Sequence, residues 1–277
     1  MTMVIQLKGT AFNNSNLPKF VRKVNGFVKD GLQNLYMFED DSPASLIADE
    51  LSNDNTSINT TGSSGGFDKQ AGGGINIRGT ATMEAGSVNV REPFTVLLAG
   101  AMLIPVDNSS VGYNQALMGF AEYATRGLLV YAQQGAALPT SADRIPAFVR
   151  GTSGGGQDSA ATWQLDNLAS NEWTYGDSSV FVLSHDGAGN FSFDIYRQGT
   201  PIAVKKQFVL DLDAITTVGG VANNDLRPCI GTLYPAFISG NVNADVMAVY
   251  TRALSASELQ TALAACADIG NARGRTY

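Results

Sequence analysis

The chain has 277 residues, 44% hydrophobic and only 16% charged, with 30 glycines. That is enough length and apolar content for one large core, and too little charge for a disordered chain. A net charge of −7 and a pI near 4.7 argue against nucleic acid as the main partner, because phosphate binding needs a basic surface.

The charge is divided unevenly. Residues 1–33 hold Lys8, Lys19, Arg22, Lys23 and Lys29 against Asp30, a net of +4, which leaves −11 for the rest of a chain whose total is −7. This segment reads as a basic arm, with Asn13-Asn-Ser-Asn-Leu-Pro as a turn. Phe20, Val21, Val24, Phe27 and Val28 fit one helical face, but Gly26 and the β-branched residues leave strand and short helix both open. An apolar, basic arm on an acidic body predicts assembly with a neighbour, with Lys19, Arg22, Lys23 and Phe27 as contacts; a solvated tail is the alternative. The opening residues carry no apolar export core, and no run approaches the ~18 residues of a membrane helix. The expectation is a chain made and folded in the cytoplasm.

Residues 52–74 are polar and glycine-rich and read as long loops around a few extended residues. Val88 to Ile104 and Ala116 to Ala132 supply core strands, the second stretch two of them. Gln133 to Ser141 is a connector, and Gly151 to Ala160 a Gly/Ser loop before Trp163. Val180 to Leu183 and Phe191 to Tyr196 form a hairpin around Asp186-Gly-Ala-Gly-Asn, with Phe191, Phe193 and Ile195 alternating against Ser192, Asp194 and Tyr196. Pro201 to Leu210 adds a further strand. Two cysteines make no disulfide framework, so Cys229 and Cys266 are expected as small buried thiols rather than a bridge.

The closing stretch, Ala244 to Leu259, reads as a strand running into a capped helix. Val246, Ala248 and Tyr250 share one face at period two. Ser255 stands three residues before Glu258, the spacing of a reciprocal cap. Leu259, Ala262, Leu263 and Cys266 follow at helical spacing, and Gly270 marks the expected stop.

The closing segment, with its Tyr250-Thr-Arg-Ala-Leu-Ser and Glu258-Leu, resembles that of laminin-G-like domains. Tyr36-Met-Phe-Glu-Asp-Asp and Ile47 to Asn55 look like the family's opening strand and its Asp-x-Ser-Gly-Asn turn, although here Glu50 and Leu51 precede the Ser and Asn53 replaces the Gly. Pro93-Phe-Thr-Val, His185-Asp-Gly-Ala-Gly-Asn and Tyr196-Arg-Gln-Gly look like later strands and hairpins of the same family. The resemblance runs from about residue 34 to 267. It implies an all-β, concanavalin-like jelly-roll β-sandwich with a short C-terminal helix, an N-terminal arm over 1–33 and a tail over 268–277. In similar jelly rolls a calcium ion joins the opening turn to the closing strand, which makes Asp49, Asn53, Asp54 and Asp245 its candidate ligands here.

Catalytic patterns are absent from the sequence. Laminarinase-type jelly rolls use Glu-x-Asp-x-x-Glu, which gathers carboxylates on one strand face, and no such triplet occurs. The only histidine, His185, adjoins Asp186 within a turn, where Asp and Gly serve the backbone. Gly62 to Gly66 and Gly151 to Gly155 match Gly-x-Ser-x-Gly as strings, without the strand and helix that a nucleophile elbow needs. Carbohydrate binding would draw on Trp163, Trp173 and Tyr175 with Asn171, the competing role being one Trp in the core. The sequence therefore predicts a non-catalytic binding or structural protein. Cytoplasmic synthesis, the Asn/Gly/Ser-rich jelly roll and the arm's Leu7-Lys-Gly-Thr-Ala-Phe look like a bacteriophage virion protein of the tail, fibre or head decoration. Such a protein would assemble with other virion proteins and with copies of itself, and would either bind host-surface glycan or simply stabilise the particle. A secreted carbohydrate-binding module and a glycosidase with an atypical site are the alternatives.

Overall fold

The computed structural model describes residues 26–38, 49–51, 57–60, 66–79, 81–103, 114–124, 127–133, 147–153, 156–164, 175–201, 206–218, 220–231 and 238–277. In chain order the strands are β1 (Leu32–Tyr36), β2 (Ser57–Thr60), β3 (Gly66–Lys69), β4 (Ile75–Gly79), β5 (Ala81–Glu84), β6 (Val88–Asn89) and β7 (Phe94–Leu103). Then come β8 (Asn114–Phe120), β9 (Gly127–Gln133), β10 (Ala147–Ser153), β11 (Gly156–Gln164), β12 (Ser179–His185), β13 (Asn190–Arg197), β14 (Thr200–Pro201) and β15 (Lys206–Val209). A one-turn helix α1 (Leu212–Thr216) precedes β16 (Thr217–Val218), β17 (Val221–Ala222), β18 (Asp225–Leu226), β19 (Pro228–Gly231), β20 (Ile238–Tyr250) and the long helix α2 (Ala256–Ala272).

These strands build a jelly-roll sandwich. One sheet centres on β20 and β7, continues through β12 and β13 to β14 and β15, and is flanked beyond β20 by β4 with β3 and by β1. The other runs β2–β5–β19–β8–β9–β10–β11 and is continuous with the first where the start of β20 pairs in parallel with β8. The main core lies between them, with Phe94, Phe120, Phe181, Phe191, Phe193, Ile75 and Met83 among its residues. The segments expected as loops at 52–74 and 151–160 contain strands instead. Ser57–Thr60 pairs with β5, Gly66–Lys69 with β4, and β10 with β11. Pairing to a neighbour overrides the weak strand propensity of Gly, Ser and Asn.

The middle of the first sheet, along β1, β7, β12 and the part of β20 from Val246 onward, is buried on both faces. Leu97, Ala99, Val180, Val182, Leu35, Val246, Ala248 and Tyr250 form a second cluster with Ala262, Leu263, Ala265 and Cys266 of α2. This explains the unbroken apolar run of β7, since a strand covered on both sides has no polar face to alternate with. Val246, Ala248 and Tyr250 do share a face, and it looks toward the helix rather than between the sheets.

A bulge at Asp245 divides β20. Register shifts between Ala244 and Val246 along β7, so Val242 and Ala244 point into the sandwich before it and Met247 and Val249 after it. Gly100 stands opposite. A Cβ there would lie 2.0 Å from the carbonyl oxygen of Asn243, so only glycine lets the bulged strand pass.

The helix starts as its spacing predicts. Ser255 accepts from the Glu258 amide at 3.4 Å, and Glu258 accepts from the Ser255 amide at 2.9 Å. Both halves of the capping box are present. Glu258 also takes a bidentate contact from Arg252 at 2.6 and 2.9 Å. That contact, followed by the Ser255 bonds, holds the Glu258 carboxyl down to about 2. Arg252 reaches back to Asp30, with its Nε 3.0 Å from the Asp30 carbonyl. The family-like motif is thus structural: its Arg ties the N-terminal approach to the helix cap. Ser255→Ala should cost about 0.5–2 kcal/mol, the usual loss with a cap oxygen. Urea unfolding measures it, and an unchanged midpoint would refute the cap's contribution.

Three boundaries differ from expectation. Residues 26–33 belong to the body, because Phe27 is buried against α2 and Thr251 donates to the Gly31 carbonyl at 2.8 Å. Phe27 is therefore a core residue rather than an assembly contact, while Lys19, Arg22 and Lys23 lie outside the described residues. The helix runs past Gly270 to Ala272; Gly270 instead makes room for the Tyr277 ring, which a Cβ would meet at 2.2 Å. Residues 268–277 are no free tail: they finish the helix and fold back onto β20. Cys229 and Cys266 are free and buried, as expected. No described helix is long and apolar enough to cross a membrane.

Candidate functional site

Asp49 and Asp245, which the sequence singled out together, sit in different hydrogen-bond networks. Asp49 accepts from the Leu35 amide at 2.8 Å, the Asn34 side-chain amide at 2.8 Å and the Leu51 amide at 3.1 Å. It is a backbone clamp that holds 49–51 against β1.

Asp245 occupies the bulge of β20, and its side chain is 2% exposed. Arg273 donates to its carbonyl at 2.8 Å and to its Oδ1 at 3.2 Å. Arg275 donates to the same Oδ1, and the Tyr277 hydroxyl to Oδ2. Burial, then the Asp245 charge, pushes the Tyr277 hydroxyl well above its ordinary range. Arg273 also reaches the Met37 carbonyl at 2.5 Å, and Arg275 the Gly73 carbonyl at 3.2 Å. Gly74, at φ +89°, gives Asp245 its space, since a Cβ would stand 2.3 Å from Oδ1. The C-terminal tail thus supplies the cations that were expected of calcium. Among the described residues no group of three acidic, His or Cys side chains could hold a metal ion. Asn53 and Asp54 lie outside the described residues.

Of the aromatic candidates, Tyr175 is buried in the core between the sheets and offers no ring for stacking. Trp163 sits on β11 in register with Val149, and Asn171 and Trp173 lie outside the described residues. His185 is also a core residue. Its Nδ1 lies 3.1 Å from the Glu92 carbonyl, and its Nε2 accepts from the Gly189 amide at 3.0 Å. Both contacts fit a neutral ring with the proton on Nδ1. Asp186 is occupied as a turn acceptor for Ala188 and Asn190. Burial lowers the His185 pKa, outweighing the raising effects of Glu92 and Asp186. The unfolded chain therefore binds more protons just below about pH 6.5, and stability should fall as pH drops through that value toward the folded pKa. Melting temperatures between pH 7.5 and 5 check this. The slope should flatten in His185→Gln, and an equal slope in both proteins would refute it.

Two polar constellations were not anticipated. On the outward side of the second sheet, buried Glu84 meets the Arg227 guanidinium at 2.5 Å. Glu122 receives the Arg227 amide at 3.1 Å and its Nε at 3.4 Å. Cys229 lies in register with Glu84; burial first, then the Glu84 and Glu122 charges, raises its thiol pKa. On the outward side of the first sheet, Asn76 donates to Asn241 Oδ1 at 2.6 Å and to Asn243 Oδ1 at 2.8 Å. Asp68, across from Asn76, pairs with Arg78. The i, i+2 spacing of Asn241, Asn243 and Asp245 was the available signal for this second group, since it puts three polar residues on one face of a strand.

Comparison with protein-family models yields no match, and neither does comparison with curated protein sequences. Solved structures do share the fold. Domain 4 of AbnA, a GH43 extracellular arabinanase from Geobacillus stearothermophilus, in complex with arabinotriose, superimposes with TM-score 0.50 at 15% identity, over 84% of this chain and 98% of that one. Trypanosoma rangeli sialidase in complex with the inhibitor DANA gives 0.51 at 12% over 84% of this chain and 33% of its own. The binding domain of botulinum neurotoxin DC in complex with SialylT gives 0.51 at 9%, over 86% and 52%. The chain therefore spans about a third of the sialidase and about half of the toxin chain. At these identities the likeness is one of fold: a jelly-roll β-sandwich.

Proposed function

We propose that this chain is a non-catalytic jelly-roll module that binds glycans. The observation that carries the reading is the end-to-end fold correspondence with the arabinanase domain, solved in complex with arabinotriose, which spans 98% of that domain. The toxin binding domain, solved in complex with SialylT, supports the same reading. A non-catalytic role is supported by how four of the described carboxylates are used: Glu84 and Glu122 converge on Arg227, Asp245 holds the C-terminal tail, and Asp49 clamps β1. Binding of the full chain to an array of immobilised neutral and acidic glycans tests the proposal. Retention of one glycan class, with no sugar released over hours, is the expected result. Retention of none refutes glycan binding, and steady release of sugar refutes the non-catalytic part.

A second reading places the module on a phage particle as a tail, fibre or decoration protein made in the host cytoplasm. It is favoured by the +4 charge of residues 1–33 against −11 for the remainder. A basic arm on an acidic body is drawn to a second copy, more weakly as salt rises. Deleting residues 1–25, and not the body residues that follow, should leave the fold intact and abolish self-association in sedimentation. Unchanged association would make the arm a tail.

A further inference from the structure

We propose that Asn76, Asn241 and Asn243 form a subsite for the vicinal diol of a neutral glycan, on the outward face of the first sheet. The proposal rests on the glycan-binding reading above and names the place.

The outward face of β20 has two halves. Past the bulge, Val246, Ala248 and Tyr250 are sealed under α2. Before it stand Asn241 and Asn243, and neither belongs to an apolar cluster. Asparagine is disfavoured in strands, and these residues sit on a central strand between β4 and β7 without adding to a core. Asn76, only 7% exposed, is the floor. It spends both hydrogens of its amide nitrogen on the Asn241 and Asn243 carbonyls, which fixes the two amide planes in advance of any ligand. Among the described residues, Asn76 Oδ1 and Asn243 Nδ2 have no partner. One is an acceptor and the other a donor, on residues that stand in register across β4 and β20.

A sugar's vicinal diol presents the complementary pair: a hydroxyl that donates and a neighbouring oxygen that accepts. Ala101, in register with Asn243 on β7, adds only a methyl group beside the amides, so a ring can lie close. Charge decides the class. Asp68 and Arg78 cancel at the rim, and the body is strongly acidic, which opposes a carboxylate-bearing sugar.

The test titrates the full chain with arabinotriose and with neutral galactose, glucose and mannose oligosaccharides. The strongest ligand is then measured against Asn243→Ala, with Asn89→Ala as a control on the short strand β6. Losing the Nδ2 donor, and with it the Oδ1 that orients Asn76, should weaken binding about tenfold in Asn243→Ala, while the control binds normally. In the unmutated protein, the Asn243 side-chain NH2 resonances should shift on titration, a readout independent of how the variant folds. If a neutral glycan binds while Asn243→Ala retains full affinity and the resonances stay still, this subsite is wrong and the glycan-binding reading survives. If only sialylated or uronate glycans bind, the assigned class is wrong. If nothing binds, both proposals fall.

Discussion

Asp245→Ala should be among the most damaging single substitutions in this protein. The side chain is buried, and it answers Arg273, Arg275 and the Tyr277 hydroxyl together. Removing it leaves the nearly buried Arg273 guanidinium without its carboxylate, and an orphaned buried charge costs about 3–5 kcal/mol. The tail should detach at the same time, exposing the end of α2 where Tyr277 packs on Gly270. Chemical denaturation gives the magnitude, and protease cleavage after Arg273 or Arg275 reports the release. Removing residues 273–277 should cost a similar amount, because it strands the carboxylate instead of the guanidinium. Asp245→Asn placed in that shortened chain should then recover stability. A loss below about 1 kcal/mol for Asp245→Ala would place the pair among weak surface contacts and refute the lock.

Arg227→Met should be comparably severe. Glu84 is 1% exposed on its side chain, so losing Arg227 leaves it buried without its guanidinium, again at a cost of about 3–5 kcal/mol. Glu84→Gln in the same chain removes the charge and should restore much of the loss, a coupling that a double-mutant cycle measures directly. Additive effects would show that the two side chains do not depend on each other. The asymmetry arises because Arg227 is 38% exposed and can return to water when Glu84 is replaced, whereas Glu84 cannot when Arg227 is.

Both predictions concern groups far apart in the chain, and this separates what could be read early from what could not. The β12–β13 hairpin was legible because its signal is local: Asp186-Gly-Ala-Gly-Asn lies between strands that pair Leu183 with Phe193 and Phe181 with Ile195. The helix start was legible for the same reason, since Ser255 and Glu258 are three residues apart and meet in one turn. The alternation of Val246, Ala248 and Tyr250 correctly placed them on one face.

Which layer that face met was decided only by packing. An all-β chain closed by a capped helix is readable from local signals, because turn residues, period-two alternation and caps act within a few residues. Long-range packing alone laid α2 over the first sheet and buried Phe27 and Cys266 with it. It alone brought Asp245 to arginines 28 and 30 residues away. Asn76 finds its partners 165 and 167 residues along the chain. No periodicity encodes such pairs; they form when sheet register brings distant strands together, and burial then makes an unanswered polar group too costly to leave.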